Sequence, residues 1–174
     1  MNTSLNFCPG RWALLVLPHF GHTDLLVAAA RLAGHGPVMI LDGGNRCNAY
    51  ILARAAGGRP EVLQRIFLSR AFTCYQMAAL LEATLESPTP LLLLDFLATF
   101  YDEAVSAFER RRLLENCLIQ LRRLSRAAGV LVSISPPAVP TPETGVLLAS
   151  LRAAADGVWA PNPTLPVPEA PRLF

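Results

Sequence analysis

Thr89-Pro-Leu-Leu-Leu-Leu-Asp-Phe96 runs four leucines, Leu91 to Leu94, into a single acid, Asp95. A strand with one wet face alternates apolar and polar residues, whereas an unbroken aliphatic run belongs to a strand covered on both faces. Working outward, the same form returns in "WALLVLP" from Trp12, "PVMILDGG" from Pro37, "RIFLSRAF" from Arg65 and "VLVSIS" from Val130, with "DGVWAP" from Asp156 as a last short strand. Between them lie segments whose apolar residues fall three and four apart. These are "TDLLVAAARLAG", with Thr23 as cap and Gly34 as stop, "NAYILARAAGG", "PEVLQRI" with Pro60 in its first turn, and "TCYQMAALLEATLES". The stretch from Tyr101 to Gly129 and "GVLLASLRAAA" complete the set. Buried strands alternating with helices specify an α/β domain, a doubly wound and mostly parallel sheet with helices on both faces.

A chain of 174 residues fits one such domain. The pattern divides it into an N-terminal extension (1–11), a core (12–160) and a proline-rich C-terminal tail (161–174). Hydrophobic residues make up 52% and charged residues only 16%, below the usual quarter for a soluble domain. That excess calls for a covered surface beyond the core, and a subunit interface is the expected cover. A membrane is not, because no run of about 18 apolar residues occurs: Asp95 and Pro18 interrupt the two best. "MNTSLNFCPGR" has no basic start followed by an apolar stretch, so no secretory signal is read and a cytoplasmic location is expected. Cys8, Cys47, Cys74 and Cys117 form no CxxC pair, which points to buried reduced thiols and away from zinc or a disulfide framework. All fifteen basic residues are arginine. Chemistry that needs a lysine amine is therefore excluded.

Ligands in such sheets bind beyond the carboxyl ends of the strands. Three strand ends stand out. "LVLPHFGHTDLL", Leu15 to Leu26, lies where a phosphate loop GxxxxGK[ST] would fall, with Val16 and Gly21 at the glycine positions, His22 at the lysine and Thr23 at the hydroxyl. Only Gly21 and Thr23 fit. "ILDGGNRCNAY" ends a strand in Asp42 and follows it with Gly43-Gly44-Asn45-Arg46, either a functional loop or a turn requiring positive backbone angles. "LLLLD" has the form of a Walker B strand, whose aspartate orients magnesium; capping at a strand end is the structural alternative.

Together these residues resemble the ATPase core of the RecA/RadA recombinase family, particularly its RadA-like branch and divergent recombinase paralogues. Ser69-Arg70-Ala71-Phe72 with Gln76 matches the family's middle element, Leu91 to Asp95 its Walker B strand, and "GVLVSIS" the strand leading to its second DNA-binding loop. The resemblance covers about Trp12 to Ala160 and implies a RecA-like P-loop NTPase fold. It departs at two catalytic parts. The acid that activates water in the family falls here on Gly43-Gly44, and the phosphate-loop lysine is missing. The resemblance therefore implies a pseudoenzyme with a degenerate Walker A and no catalytic residue. ATP and magnesium would be held weakly if at all, through Gly21, His22, Thr23 and Asp95, the last being the metal's residue.

The resemblance also implies DNA-binding loops after the fourth and fifth strands. The second, "SPPAVPTPET", carries no basic residue. The first leads into "FERRRLLENCLIQLRRLSR", where Arg110, Arg111, Arg112, Arg122 and Arg126 are the candidates for DNA. On a helix Arg111, Arg122 and Arg126 share one side, opposite Leu113, Leu114, Cys117, Leu121 and Leu124. Such a side is either a phosphate-facing stripe or a solvated face. Tyr101 and Phe108 are candidates for base stacking or for packing. The terminal "EAPRLF" resembles the end of a sliding-clamp-binding motif without its glutamine.

The expected function is that of a non-catalytic accessory protein in DNA recombination or repair. It would bind a recombinase-like or nuclease subunit, or itself, with DNA as a further partner and an exposed apolar patch as the contact. Two other readings remain open: a weak ATPase completed in trans by a partner's arginine, and an interaction regulator outside DNA repair.

Overall fold

A computed structural model of the chain describes residues 9–17 and 21–160. Positions 18–20 of the phosphate-loop stretch, Cys8, and the tail with its "EAPRLF" end lie outside the described residues. Six strands, β1 (Trp12–Val16), β2 (Val38–Asp42), β3 (Ile66–Arg70), β4 (Leu91–Leu94), β5 (Val130–Ile134) and β6 (Gly157–Trp159), form one sheet in the order β3-β2-β4-β5-β1-β6. Every pairing is parallel. The leucine run is an inner strand, buried throughout, between β2 and β5.

The period of two along each strand sends alternate side chains to opposite faces. Trp12, Leu14, Leu91 and Leu93 pack with α4 (Cys74–Ala83), α5 (Ala107–Ser125) and α6 (Pro142–Ala154). Leu15, Ile40, Leu92 and Leu94 pack on the other face with α1 (His22–Ala33), α2 (Ala49–Ala56) and α3 (Pro60–Leu63). The doubly wound architecture read from the sequence is the one observed. Its winding also places a crevice. The connection from β2 runs to β3 on the α1–α3 face, and that from β4 runs to β5 on the opposite face, so the carboxyl ends of β2 and β4 mark a topological switch point.

Local chemistry explains most boundaries. Asn48 accepts from the backbone of Tyr50 and Ile51 to start α2, and Thr73 does the same for Gln76 in α4. Four boundaries differ from the sequence reading. Gly21, not Thr23, is the N-cap of α1, without a side-chain hydrogen bond, and Thr23 is an exposed residue of the first turn. A 3-10 helix, Phe96–Phe100, follows Asp95, and α5 begins at Ala107, where Ser106 caps Glu109, instead of at Tyr101. α6 begins inside the proline-rich loop, because Thr141 and Thr144 form a reciprocal capping box and Pro142 occupies a first-turn position that needs no N–H donor.

Cys47, Cys74 and Cys117 are buried free thiols. No helix among the described residues is long and apolar enough to cross a membrane. The exceptions to burial are the two edge strands: β6 is exposed throughout, and on β3 Phe67 is 56% and Leu68 42% exposed, with Phe72 just beyond them at 72%.

Candidate functional site

Asp42 ends β2 and Asp95 follows β4, so two acids meet at the switch point, both essentially without solvent exposure. A carboxylate removed from water requires donors or countercharges. Asp42 receives the backbone N–H groups of Arg46 and Cys47, one on each oxygen, both at 2.9 Å. Arg70 adds charge, with Nε 3.4 Å from Asp42 Oδ2, and donates through Nη2 to the Cys47 carbonyl at 2.9 Å. The sheet register explains that pair, because Asp42 and Arg70 are partners across β2 and β3.

Asp95 is held as fully. Its Oδ2 accepts from Arg46 Nε at 2.8 Å and its Oδ1 from the Ser135 backbone N–H at 2.8 Å. Its own N–H donates to Ser133 Oγ at 3.1 Å, and that hydroxyl donates in turn to the Leu93 carbonyl at 3.1 Å. Asp95 lies in the left-handed region at φ 50° and ψ 50°, a conformation that aspartate tolerates better than most residues. The turn swings its carboxylate back toward Gly43-Gly44.

Those glycines are there for space and not for positive backbone angles, which Asn45 supplies instead at φ 53°. A Cβ on Gly44 would lie 2.5 Å from Asp95 Cβ and Oδ2, and one on Gly43 would lie 3.0 Å from the Asp95 carbonyl oxygen. The pair forms a close cover over the acid, where the resemblance places the family's water-activating residue. The environment raises neighbouring groups. Burial, then the Asp42 charge, pushes the Cys47 thiol up, and burial, then Asp95, pushes up the Tyr101 hydroxyl.

The structure thus brings Asp95 together with Arg46 and Ser135. His22 is buried at the start of α1. Each Asp95 oxygen already accepts one internal hydrogen bond, Oδ2 from a guanidinium, in the place where the resemblance puts the magnesium residue. No cluster of three or more His, Cys, Asp or Glu side chains is placed to hold a metal among the described residues. Arg46 and Arg70 were not singled out from sequence. The signal in the sequence is two acids at strand ends with Arg46 four residues after the first and Arg70 ending a strand of its own, but pairing Arg46 with Asp95 spans 49 residues.

The arginine stripe is only partly as expected. Leu113, Leu114, Cys117, Leu121 and Leu124 are buried, and burial pushes the Cys117 thiol up to about 12. Arg110 is a correction: it is 5% exposed, donating to the Phe100 carbonyl at 3.3 Å and paired with Glu143 of α6, so it is not on the outer face. Its position four residues before Leu114 aligns it with the core side. Arg112 is exposed but paired with Glu109 at 2.6 Å, and Arg122 with Asp156 at 2.9 Å. Arg111 and Arg126 are exposed and make no ion pair among the described residues. Tyr101 donates its hydroxyl to the Ser135 carbonyl at 3.3 Å, whereas Phe108 is 77% exposed.

No protein-family model matches the sequence, and no curated protein is significantly similar to it. Among solved structures, the chain is similar to the crystal structure of the RadB recombinase, with a TM-score of 0.58 and 17% identity. The match covers 75% of this chain and 63% of that one, so this chain spans less than two thirds of that recombinase. The six-stranded parallel sheet is a RecA-like fold of the recombinase type, as the Ser69–Phe72 and Leu91–Asp95 elements imply.

Proposed function

We propose that this chain is a non-catalytic RecA-fold accessory protein of DNA recombination or repair, working by binding a partner subunit. The observation that carries the reading is the closure of Asp95: its oxygens go to Arg46 and to the Ser135 backbone, and Gly44 packs against it. An internal guanidinium places positive charge where a metal would supply it in phosphoryl transfer, which supports a site that works without a ligand. The absence of lysine removes the other phosphate-neutralising group. The likeness to a recombinase supports the pathway. The exposed apolar edge at Phe67, Leu68 and Phe72 supports a protein partner, taken as a recombinase-like or nuclease subunit. DNA is a secondary partner, met by the exposed Arg111 and Arg126 on α5 with Arg122 between them.

The test is nucleotide dependence of partner capture. Complex formation with a recombinase or nuclease subunit, followed by light scattering on a sizing column, is expected to be equal with and without Mg-ATP and unchanged by Thr23→Ala. A complex that needs Mg-ATP, or that Thr23→Ala abolishes, sinks the proposal. For DNA, the anisotropy of a labelled single strand is expected to fall with salt and to be weakened by Arg111→Ala with Arg126→Ala, independently of ATP.

A further inference from the structure

Beyond β4 and β5 lies an open cavity of about 850 Å³, within the size range of small-ligand sites. Two helices begin on it. Ser106 and Ala107 open the 19-residue α5, and Thr141 and Pro142 open the 13-residue α6. Each helix N-terminus carries partial positive charge and unmatched N–H groups. The rest of the wall is largely apolar, with Val105, Pro137, Ala138 and Val139.

Arg110 also lines this cavity, with its side chain only 6% exposed. A guanidinium has five N–H donors in a fixed fork. Here Nη1 reaches the Phe100 carbonyl and Nη2 reaches Glu143 Oε2, while Nε is buried with no hydrogen-bond partner among the described residues. Glu143 therefore holds the guanidinium through one oxygen, leaving the two-pronged Nε–Nη2 edge half used. A guanidinium buried this deeply favours a bidentate carboxylate. Glu143 is 49% exposed on the first turn of α6, so its side chain has water to turn into.

We infer that this cavity binds a monoanionic carboxylate with an apolar body. The ligand's carboxylate takes the Nε–Nη2 edge of Arg110 in place of Glu143, and its apolar part lies along Val105, Ala138 and Val139. Charge selects the class. Glu103 and Glu143 both stand on the cavity wall, so a phosphate dianion meets two carboxylates against one arginine. A single negative charge meets the same two carboxylates with half the repulsion, against the attraction of Arg110 and the two helix N-termini. The inference stands apart from the function proposed above and does not depend on it.

Titration calorimetry of the full chain tests it with N-acetyl-leucine, the neutral N-acetyl-leucinamide and inorganic phosphate as probes. The acid is expected to bind saturably in the millimolar range or tighter, and the amide and phosphate about ten-fold more weakly or worse. Glu143→Gln removes the competing charge while keeping the side chain's length, and is expected to tighten the acid by about ten-fold. Val139→Asp, at a position 74% exposed and so outside the core, is expected to weaken it. Equal affinity for acid and amide, preference for phosphate, or no effect of Glu143→Gln overturns the assignment. So does the lack of saturable binding to both the wild type and the Gln variant up to about 10 mM.

Discussion

At the scale of single residues, space and charge around Asp95 decide the local fold. Gly44→Ala would drive a methyl group into a contact of 2.5 Å with a buried side chain, and is expected to cost about 2–3 kcal/mol in urea unfolding. Gly145 offers the opposite sign. It lies within α6, and a Cβ there meets nothing within 4 Å, so Gly145→Ala is expected to add about 0.5–1 kcal/mol. Arg46→Met strands the Asp95 carboxylate without its countercharge. Because Arg46 is 32% exposed, the loss is expected near 2 kcal/mol, below the 3–5 of a wholly buried pair. Asp95→Asn in the same chain should recover part of it. The acid itself was legible, since four leucines before one aspartate stand out. Its closure was not, because no local pattern reveals which distant arginine will reach it, or that two glycines serve as clearance.

At the scale of elements, helix ends carry the information that hydrophobic periodicity lacks. Arg123 donates through Nη2 to the carbonyls of Leu81 and Thr84, at 3.1 and 2.9 Å, satisfying the last turn of α4 from the neighbouring α5. Arg123→Met is expected to cost about 1–2 kcal/mol, measured as a lower unfolding midpoint in denaturant. The start of α6 was written in Thr141-Pro142-Glu143-Thr144, yet the density of prolines there reads as loop. Asp156 fastens three elements. Its carboxylate accepts from the Trp12 N–H at 2.9 Å at the head of β1 and pairs with Arg122 of α5, just before β6. Those bonds, the Trp12 one first, hold its pKa below the ordinary 3.8. A depressed carboxylate stabilises the fold above its unfolded pKa and loses that contribution as pH falls through the folded value. Asp156→Asn is accordingly expected to cost about 1 kcal/mol at neutral pH, and the gap to wild type should narrow in unfolding curves as the pH is taken down below 3.8.

At the scale of the whole molecule, the order of strands was not legible, although their number and the two-faced cover of the inner ones were; the aliphatic runs of β3 and β6 did not show that these strands lie exposed at the edges. Strand order depends on contacts more than a hundred residues apart, such as Trp12 with Val130, and only the resemblance spoke to it. The apolar excess in the composition was legible as a quantity but not as a place. The structure locates much of it at the open edge of β3. Phe67→Lys is expected to leave the unfolding free energy within about 0.5 kcal/mol and to reduce light scattering on concentration. The position of β1 carries a consequence for biosynthesis. Among the six described strands β1 is made first, and its neighbours in the sheet, β5 and β6, are made last. Until those residues emerge, Trp12 and Leu14, almost wholly covered in the finished sheet, have no strand to lie against. A nascent chain that has not yet reached β5 therefore carries an open apolar strand at β1. Completion of the sheet has to wait for β5 and β6, and that segment needs shelter in the interval.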